Sequence, residues 1–229
     1  MPAYPALQPF FDSVKDLLDQ YPTTAFDAAK GTALLTKKGF KKGSGGMWED
    51  AQGRPLKIEI MGATFTATIG PVITEQLKRQ GVDATFTMPP DASRRFTAGD
   101  YVGMINGHGG SVSGDPYFTL RLFQTASQVI PGQAPTNLSR WSNKAYDKIV
   151  DDMYLTPTDD TAKLKDLFHK AMEIWLPELP DIQLTKFYHN VAMNQTYWKG
   201  WPTQDDPYIN GNSWHATYPL VLHRIEPVQ

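Results

Sequence analysis

The chain has 229 residues, 41% hydrophobic and 20% charged, which is ordinary for a globular protein of one large or two small domains. A net charge of −2 and the lack of a basic run interleaved with aromatic residues argue against a nucleic-acid partner. The chain has no cysteine, which excludes disulfides and thiolate metal sites, and no apolar run reaches the roughly 18 residues of a membrane span.

The N-terminal segment is predicted to be helical. Apolar residues recur at helical spacing over 5–19, which favours one amphipathic helix. Asp27 is placed to cap a second helix that runs to about Lys38 and ends at Gly39. Glycines then predict a loop and a hairpin turn over 43–53.

An α/β unit is predicted next. Alternating Leu56, Ile58 and Ile60 indicate a strand, and a helix follows from Ile69 to Gly81. A second strand over 82–88 completes a strand–helix–strand order, which predicts a parallel pair with a right-handed crossover. A short helix over 91–98 and a third strand over 101–105 come after it.

The remaining chain is predicted to be mostly helical. Its predicted elements are a loop over 106–114, a helix over 116–124, irregular chain over 127–137, a helix capped by Ser142, a helix opened by Thr158-Asp159-Asp160, a strand over 182–189, and a last alternating run at Leu220, Leu222 and Ile225.

Two enzymatic or metal-binding patterns are incomplete. Gly107-His108-Gly109-Gly110 is typical of an esterase oxyanion loop, but 110–114 has Val112 where the nucleophile of a Gly-x-Ser-x-Gly elbow would stand. The five histidines form no His-x-x-x-His pair. We therefore predict no catalytic residue, no metal site and no cofactor, and keep a hydrolase as a distant alternative.

Aromatic residues crowd the C-terminal tail. Trp198, Trp201 and Trp214 are followed or flanked by Asn, Asp and Gln. They are either core side chains or a stacking platform for a sugar ring or another flat-faced ligand, whose hydroxyls the amides would bind.

Several strings, in order and spacing over about 25–190, resemble the family 5 solute-binding proteins of ABC importers. The matching strings are Phe26-Asp27-Ala28-Ala29-Lys30 to Gly39-Phe40, Gly46-Met47-Trp48-Glu49-Asp50 with Gly53-Arg54-Pro55-Leu56, Gln76–Val82, Gly114-Asp115-Pro116, Trp141–Asp147 and Leu179–Leu184.

The resemblance implies a binding protein and not an enzyme. It implies an α/β fold, a periplasmic-binding-protein-like lobe with a mixed sheet flanked by helices. The implied division is an N-terminal helix and linker over 1–24, the second lobe over 25–188, and a segment over 189–229 that crosses to the first lobe. It further implies ABC permease partners, a periplasmic or other extracytoplasmic location, and a first lobe with a signal peptide upstream, since residues 1–5 do not begin one.

The ligand predicted by the resemblance is an oligosaccharide. In peptide-binding members an Asp two residues before a Gly-Asp-Pro-like string holds the peptide ammonium; here that position is Val112. The tail from Tyr197 to Trp214 is similar to that of the oligosaccharide-binding members. A peptide or a nickel chelate remains the alternative ligand.

The predicted site lies at the carboxyl end of the third strand. Ligands of open α/β sheets bind at that edge, so the loop over 106–114 would offer Asn106, His108, Ser111 and Ser113 to a neutral polyol. Trp198, Trp201 and Trp214 would add ring faces, and we expect them to be less buried than the helix core.

Overall fold

In the computed structural model of the chain, the residues described are 7–107, 114–129, 135–185, 191–203, 205–206, 208–213, 215 and 217–228. The chain forms two compact units, which divide between Ile182 and Gln183. Within the described ranges no helix is both long and apolar enough to cross a lipid bilayer.

The larger unit contains helices and short strands. Its helices are α1 (Gln8–Asp12), α2 (Lys15–Gln20), α3 (Ala28–Lys37), α4 (Ile69–Arg79), α5 (Ala92–Ala98), α6 (Tyr117–Leu120), α7 (Lys144–Tyr154) and α8 (Thr161–Glu178). Its strands are β1 (Lys41–Lys42), β2 (Trp48–Glu49), β3 (Lys57–Met61), β4 (Asp83–Thr87) and β5 (Gly103–Met104).

The α/β part of this unit is a three-stranded parallel sheet in the order β4-β3-β5. The parallel pairing of β3 with β4, which are joined through α4, confirms the parallel pair predicted from the sequence. The antiparallel pairings lie outside this sheet, in the ribbon of β1 with β2 and in one pair of strands in the smaller unit. The fold class is α/β, as predicted.

A small apolar core holds the β1–β2 ribbon onto the sheet. Trp48 is buried with Val82 and Ala84, and its indole Nε1 donates to the Gln80 carbonyl at 2.9 Å. Lys42 Nζ donates to the same carbonyl at 2.7 Å, so an ammonium lies at the C-terminal end of α4, where the helix dipole favours a cation.

The larger core is helical. It is formed by α1, α2, α7, α8 and the chain over 120–123, and its largest fully buried side chains include Trp175, Tyr146 and Phe168. The Tyr146 hydroxyl donates to the Leu120 carbonyl at 2.8 Å, and burial raises the pKa of Tyr146 well above its ordinary value, so the phenol stays protonated.

Arg140 links the chain that precedes α7 to helix α5 of the α/β part. Its guanidinium donates to the Thr97 carbonyl at 3.0 Å and to the Gln128 carbonyl at 2.7 Å. Gly99 lies beneath that guanidinium, and a Cβ atom built there would come within 2.7 Å of Arg140 Nε. The chain after α5 is therefore packed against Arg140.

The smaller unit has strands β6 (Trp198–Lys199) and β7 (Glu226–Pro227), which pair antiparallel, and helix α9 (Tyr218–Arg224). Arg224 lies 3.7 Å above the Tyr208 ring and pairs with Asp206 at 2.7 Å. Among the described residues of the smaller unit, the buried hydrophobic side chain is that of Val221 in α9.

Two helix boundaries differ from the sequence prediction. The single helix predicted over 5–19 is two helices, because Ser13 Oγ donates to the Phe10 carbonyl at 2.7 Å and competes with the helical ladder. The cap of α7 is Asn143, which accepts from the amides of Ala145 and Tyr146, whereas Ser142 bonds to Thr125.

The strand predicted over 182–189 is wrong where the structure describes it, and the alternating run near the C-terminus is not a strand. Residues 182–185 form no strand; Ile182 is 63% exposed, and no described strand pairs with them. The alternating run at 220–225 is largely helix α9, with Pro219 in its first turn, where a proline fits.

Candidate functional site

The carboxyl ends of the three parallel strands meet at one edge of the sheet. The Gly62 amide donates to the Thr87 carbonyl at 3.0 Å, and the Ile105 amide donates to the Met61 carbonyl at 2.9 Å. These bonds continue the ladder one residue past the strands and bring the loops that follow β3, β4 and β5 side by side. Open α/β sheets bind ligands at this edge.

The loop after β3 is held in one conformation by Thr66. The Thr66 hydroxyl accepts from the Ala63 amide at 3.0 Å and donates to the Ala63 carbonyl at 2.8 Å, and this side chain is buried. Gly62 passes so close that a Cβ atom there would lie 2.3 Å from Thr66 Oγ1 and 2.5 Å from the Phe86 ring. A glycine at position 62 therefore allows the loop to turn tightly over the strand ends.

The loop after β3, held by the hydrogen bonds of Thr66, places Phe65 at the sheet edge. The Phe65 side chain is 54% exposed, although it lies next to the chain that follows β5: a Cβ atom on Gly107 would be 4.0 Å from its ring. Asn106, the residue before Gly107, is also exposed. The edge therefore exposes an aromatic ring and, one residue before Gly107, a primary amide, a combination that suits a ligand with both C–H faces and hydroxyl groups.

Charged groups near this edge are paired with each other. Asp91, which follows β4, receives a 2.6 Å hydrogen bond from Arg94, and this bond lowers the pKa of the Asp91 carboxyl. Glu59 and Asp100 both lie near Arg95, at 3.5 and 3.6 Å. Within the described residues no cluster of His, Asp and Glu is arranged to hold a metal ion.

Two concavities of the larger unit are lined by residues other than those of the edge. One, of about 330 Å³, runs along α4 past Val72 and Gln76, and the other, of about 540 Å³, lies between Phe40 and Lys57. None of the edge residues Gly62, Phe65 and Asn106 lines either of them, and Phe65 and Asn106 are themselves exposed at the surface. A ligand bound there needs a second surface to bury it.

The residues predicted from the sequence fall into three groups. Asn106 lies at the sheet edge of the larger unit and is exposed, and its role in binding stays a prediction. Trp198 and Trp201 lie together in the smaller unit, where Trp201 Nε1 donates to the Trp198 carbonyl at 3.1 Å. His108, Ser111, Ser113 and Trp214 lie outside the described residues, so their roles stay predictions.

Trp198 and Trp201 are less buried than the helix core, as expected. The Trp198 side chain is 44% exposed and Trp201 is half-buried, whereas Trp175 of α8 is 1% exposed.

The sequence analysis did not predict Phe65 as a residue of the candidate site. The available signal was its position just after the central strand, because any residue there reaches the binding edge of a parallel sheet. Its proximity to Gly107 spans more than forty positions of sequence, and no local pattern reports that distance.

Comparison with known proteins gives no matching family model. Among solved structures, the chain is similar to the periplasmic oligopeptide-binding protein of an oligopeptide ABC transporter from Thermotoga maritima. With mannohexaose bound, that protein matches 93% of this chain and 41% of its own, at 23% identity and a TM-score of 0.73. A second structure of the same protein matches 98% of this chain and 43% of its own, at 23% identity and a TM-score of 0.77.

Two further structures show the same fold. NikZ from Campylobacter jejuni, in complex with Ni(L-His), matches 76% of this chain and 39% of its own at 20% identity, with a TM-score of 0.56. The oligopeptide-binding protein AppA from Bacillus subtilis, in complex with a nonapeptide, matches 68% and 30% at 18% identity, with a TM-score of 0.53.

The chain therefore has the fold of part of a periplasmic binding protein. It spans well under half the length of the binding proteins it matches. The sequence resemblance to solute-binding proteins of ABC importers is confirmed at the level of the fold, and these structural neighbours are transport proteins.

Proposed function

We propose that this chain is the second-lobe part of a solute-binding protein that captures an oligosaccharide outside the cytoplasm and delivers it to an ABC permease. The observation that carries the proposal is the match of nearly the whole chain to a binding protein solved with mannohexaose. The predicted division into residues 1–24, 25–188 and 189–229 belongs to the same proposal.

The chemistry of the sheet edge supports a neutral ligand. Phe65 offers a ring face, and the amide of Asn106 can both donate to and accept from a hydroxyl. The carboxylates nearby already pair with arginines, so they would not serve as the counter-charge of a peptide ammonium. An unpaired ammonium is costly to bury, which favours a sugar over a peptide.

Calorimetric titration of the longer protein that includes this chain tests the proposal. The titrants are manno-, cello-, xylo- and malto-oligosaccharides, with a nonapeptide and a nickel–histidine complex as competing ligands. We expect one of the sugars to bind, and the peptide and nickel complex to give no heat. Binding of the peptide or the nickel complex alone would contradict the choice of ligand.

Substitutions at the edge test the site itself. Phe65→Ala should weaken sugar affinity by about fivefold, since an aromatic contact contributes about 1 kcal/mol. Asn106→Ala should weaken the sugar affinity by a similar factor, because the substitution removes about one hydrogen bond to the ligand. Phe26→Ala, a change of another exposed phenylalanine outside the edge, is the matched control and should leave affinity unchanged. Unchanged affinity in both edge variants would remove the edge from the site.

A further inference from the structure

The tripeptide Ile-Asn-Gly occurs twice in the chain. It occurs at Ile105-Asn106-Gly107, at the sheet edge of the larger unit, and at Ile209-Asn210-Gly211, in the smaller unit. Because the local sequence is the same, any difference in the chemistry of the two asparagines must come from their structural surroundings.

An asparagine followed by glycine is prone to ring closure on its own backbone. The amide nitrogen of the glycine attacks the side-chain Cγ, a new N–Cγ bond forms, and the Cγ–Nδ2 bond breaks. The Nδ2 group leaves as ammonia with the proton of the attacking amide, and a succinimide remains. Water then opens the ring at Cγ to give Asp, or at the backbone carbonyl carbon to give isoaspartate. Glycine favours the reaction because no Cβ atom hinders its nitrogen and its backbone turns freely.

At the first tripeptide nothing described restrains this attack. Asn106 and Gly107 are both exposed, and among the described residues neither the Asn106 side chain nor the Gly107 amide makes a hydrogen bond. Among the described residues, the atom closest to a Cβ built on Gly107 is on Phe65, at 4.0 Å. The ladder bonds stop at Ile105, whose amide donates to Met61.

At the second tripeptide the same atoms are restrained. Asn210 Oδ1 accepts from the Asn212 amide at 3.0 Å, which fixes the side-chain rotamer. A Cβ atom on Gly211 would lie 2.8 Å from Met193 and 3.2 Å from Pro202, so the backbone there is closely covered. Ring closure at Asn210 would have to break the hydrogen bond and move the covered glycine.

We propose that Asn106 is a site of spontaneous succinimide formation and deamidation, and that the fold directs this modification to Asn106 and away from Asn210. The product replaces an amide, which donates and accepts, by a carboxylate, which only accepts. If the proposed sugar site is correct, the modified protein also loses a donor to its ligand, but the chemistry at Asn106 does not depend on that function.

The test is peptide mapping by liquid chromatography and mass spectrometry after the folded chain is incubated in mildly alkaline buffer. The readout is the mass gain of an amide-to-acid change, and chromatography separates the Asp and isoaspartate products. We expect Asn106 to react about tenfold faster than Asn210, equivalent to about 1.4 kcal/mol in activation free energy. In urea-unfolded chain the two rates should become nearly equal.

Gly107→Ala is the matched control variant. The backbone at position 107 does not require glycine, and among the described residues an added methyl group meets the Phe65 ring at van der Waals distance. The variant should fold normally by circular dichroism, and its Asn106 should react at least about tenfold more slowly, because the methyl group hinders the nitrogen. Equal rates at the two asparagines in the folded chain, a faster rate at Asn210, or no reaction at Asn106 would each overturn the proposal.

Discussion

At Gly62 the backbone comes closer to its neighbours than any side chain would permit. A methyl group there would overlap Thr66 Oγ1 and the Phe86 ring, both of which are packed into the strand ends. Gly62→Ala should therefore lower the free energy of unfolding by about 1–3 kcal/mol, the usual cost of overpacking. Urea unfolding of the purified chain measures the change.

Gly31 is the matched control for that substitution. It lies inside α3, and a Cβ atom there would meet nothing within 4 Å. Gly31→Ala should raise the free energy of unfolding by up to about 1 kcal/mol, because alanine is the better helix former. Opposite signs for the two variants would support the close approach at Gly62, and a stabilising Gly62→Ala would refute it.

The docking of helix α2 on α8 should depend on pH through one pair of side chains. Asp16 Oδ2 of α2 lies 3.2 Å from His169 Nε2 of α8, and this hydrogen bond lowers the pKa of the Asp16 carboxyl from its ordinary value of 3.8. A depressed folded-state pKa means that the stabilisation is present above pH 3.8 and is lost as the pH falls through the lower, folded value. Asp16→Asn should therefore reduce the drop in melting temperature on acidification.

The effect should be small and sensitive to salt, since Asp16 is largely exposed. Asp19→Asn is the control, because Asp19 pairs with Lys15 inside the same helix. Asp16→Asn and His169→Gln, combined, should destabilise by less than the sum of their separate effects at neutral pH. Strict additivity would show that the two side chains do not interact.

Element prediction succeeded where the signal is local. Asp27 caps α3 by accepting from the Lys30 amide at 2.8 Å, and Gly39 and Gly99 follow their helices with positive φ, as their sequence contexts predicted. The β3–α4–β4 unit has the predicted parallel pairing because hydrophobic periodicity and helix length together indicate a crossover connection.

Element prediction failed where a segment depends on distant partners. Ile182 and Leu184 alternate with polar residues as a strand would, yet both are exposed and no described strand pairs with them. Leu220 and Leu222 alternate as well, but their segment is helix α9. Alternation favours a strand only if a neighbouring strand satisfies its backbone groups.

At the scale of the whole molecule, we expect the 229-residue chain to bind sugar weakly by itself. Phe65 and Asn106 of the candidate edge are exposed at the surface, and in two-lobed binders closure of the second lobe completes the site. Every reduction of about 1.4 kcal/mol in binding free energy weakens affinity by about tenfold. Parallel titrations of this chain and of the longer protein with the same oligosaccharides measure the difference. Comparable tight affinity in the two would show that this part carries the site unaided.

The sequence by itself determined the class of fold, the order of the α/β elements, and the resemblance to solute-binding proteins. It also placed Asn106 at the carboxyl end of a strand, because strand ends and glycine-rich loops are local signals.

Only the tertiary structure decided which groups meet. It placed Phe65 beside Gly107 and left Asn106 exposed. In the identical tripeptide, Asn210 accepts a hydrogen bond from Asn212, and Gly211 packs closely against Met193 and Pro202. The physical reason is that periodicity and capping report each residue's immediate neighbours along the chain. Exposure and reactivity depend on atoms that folding brings from elsewhere in the sequence.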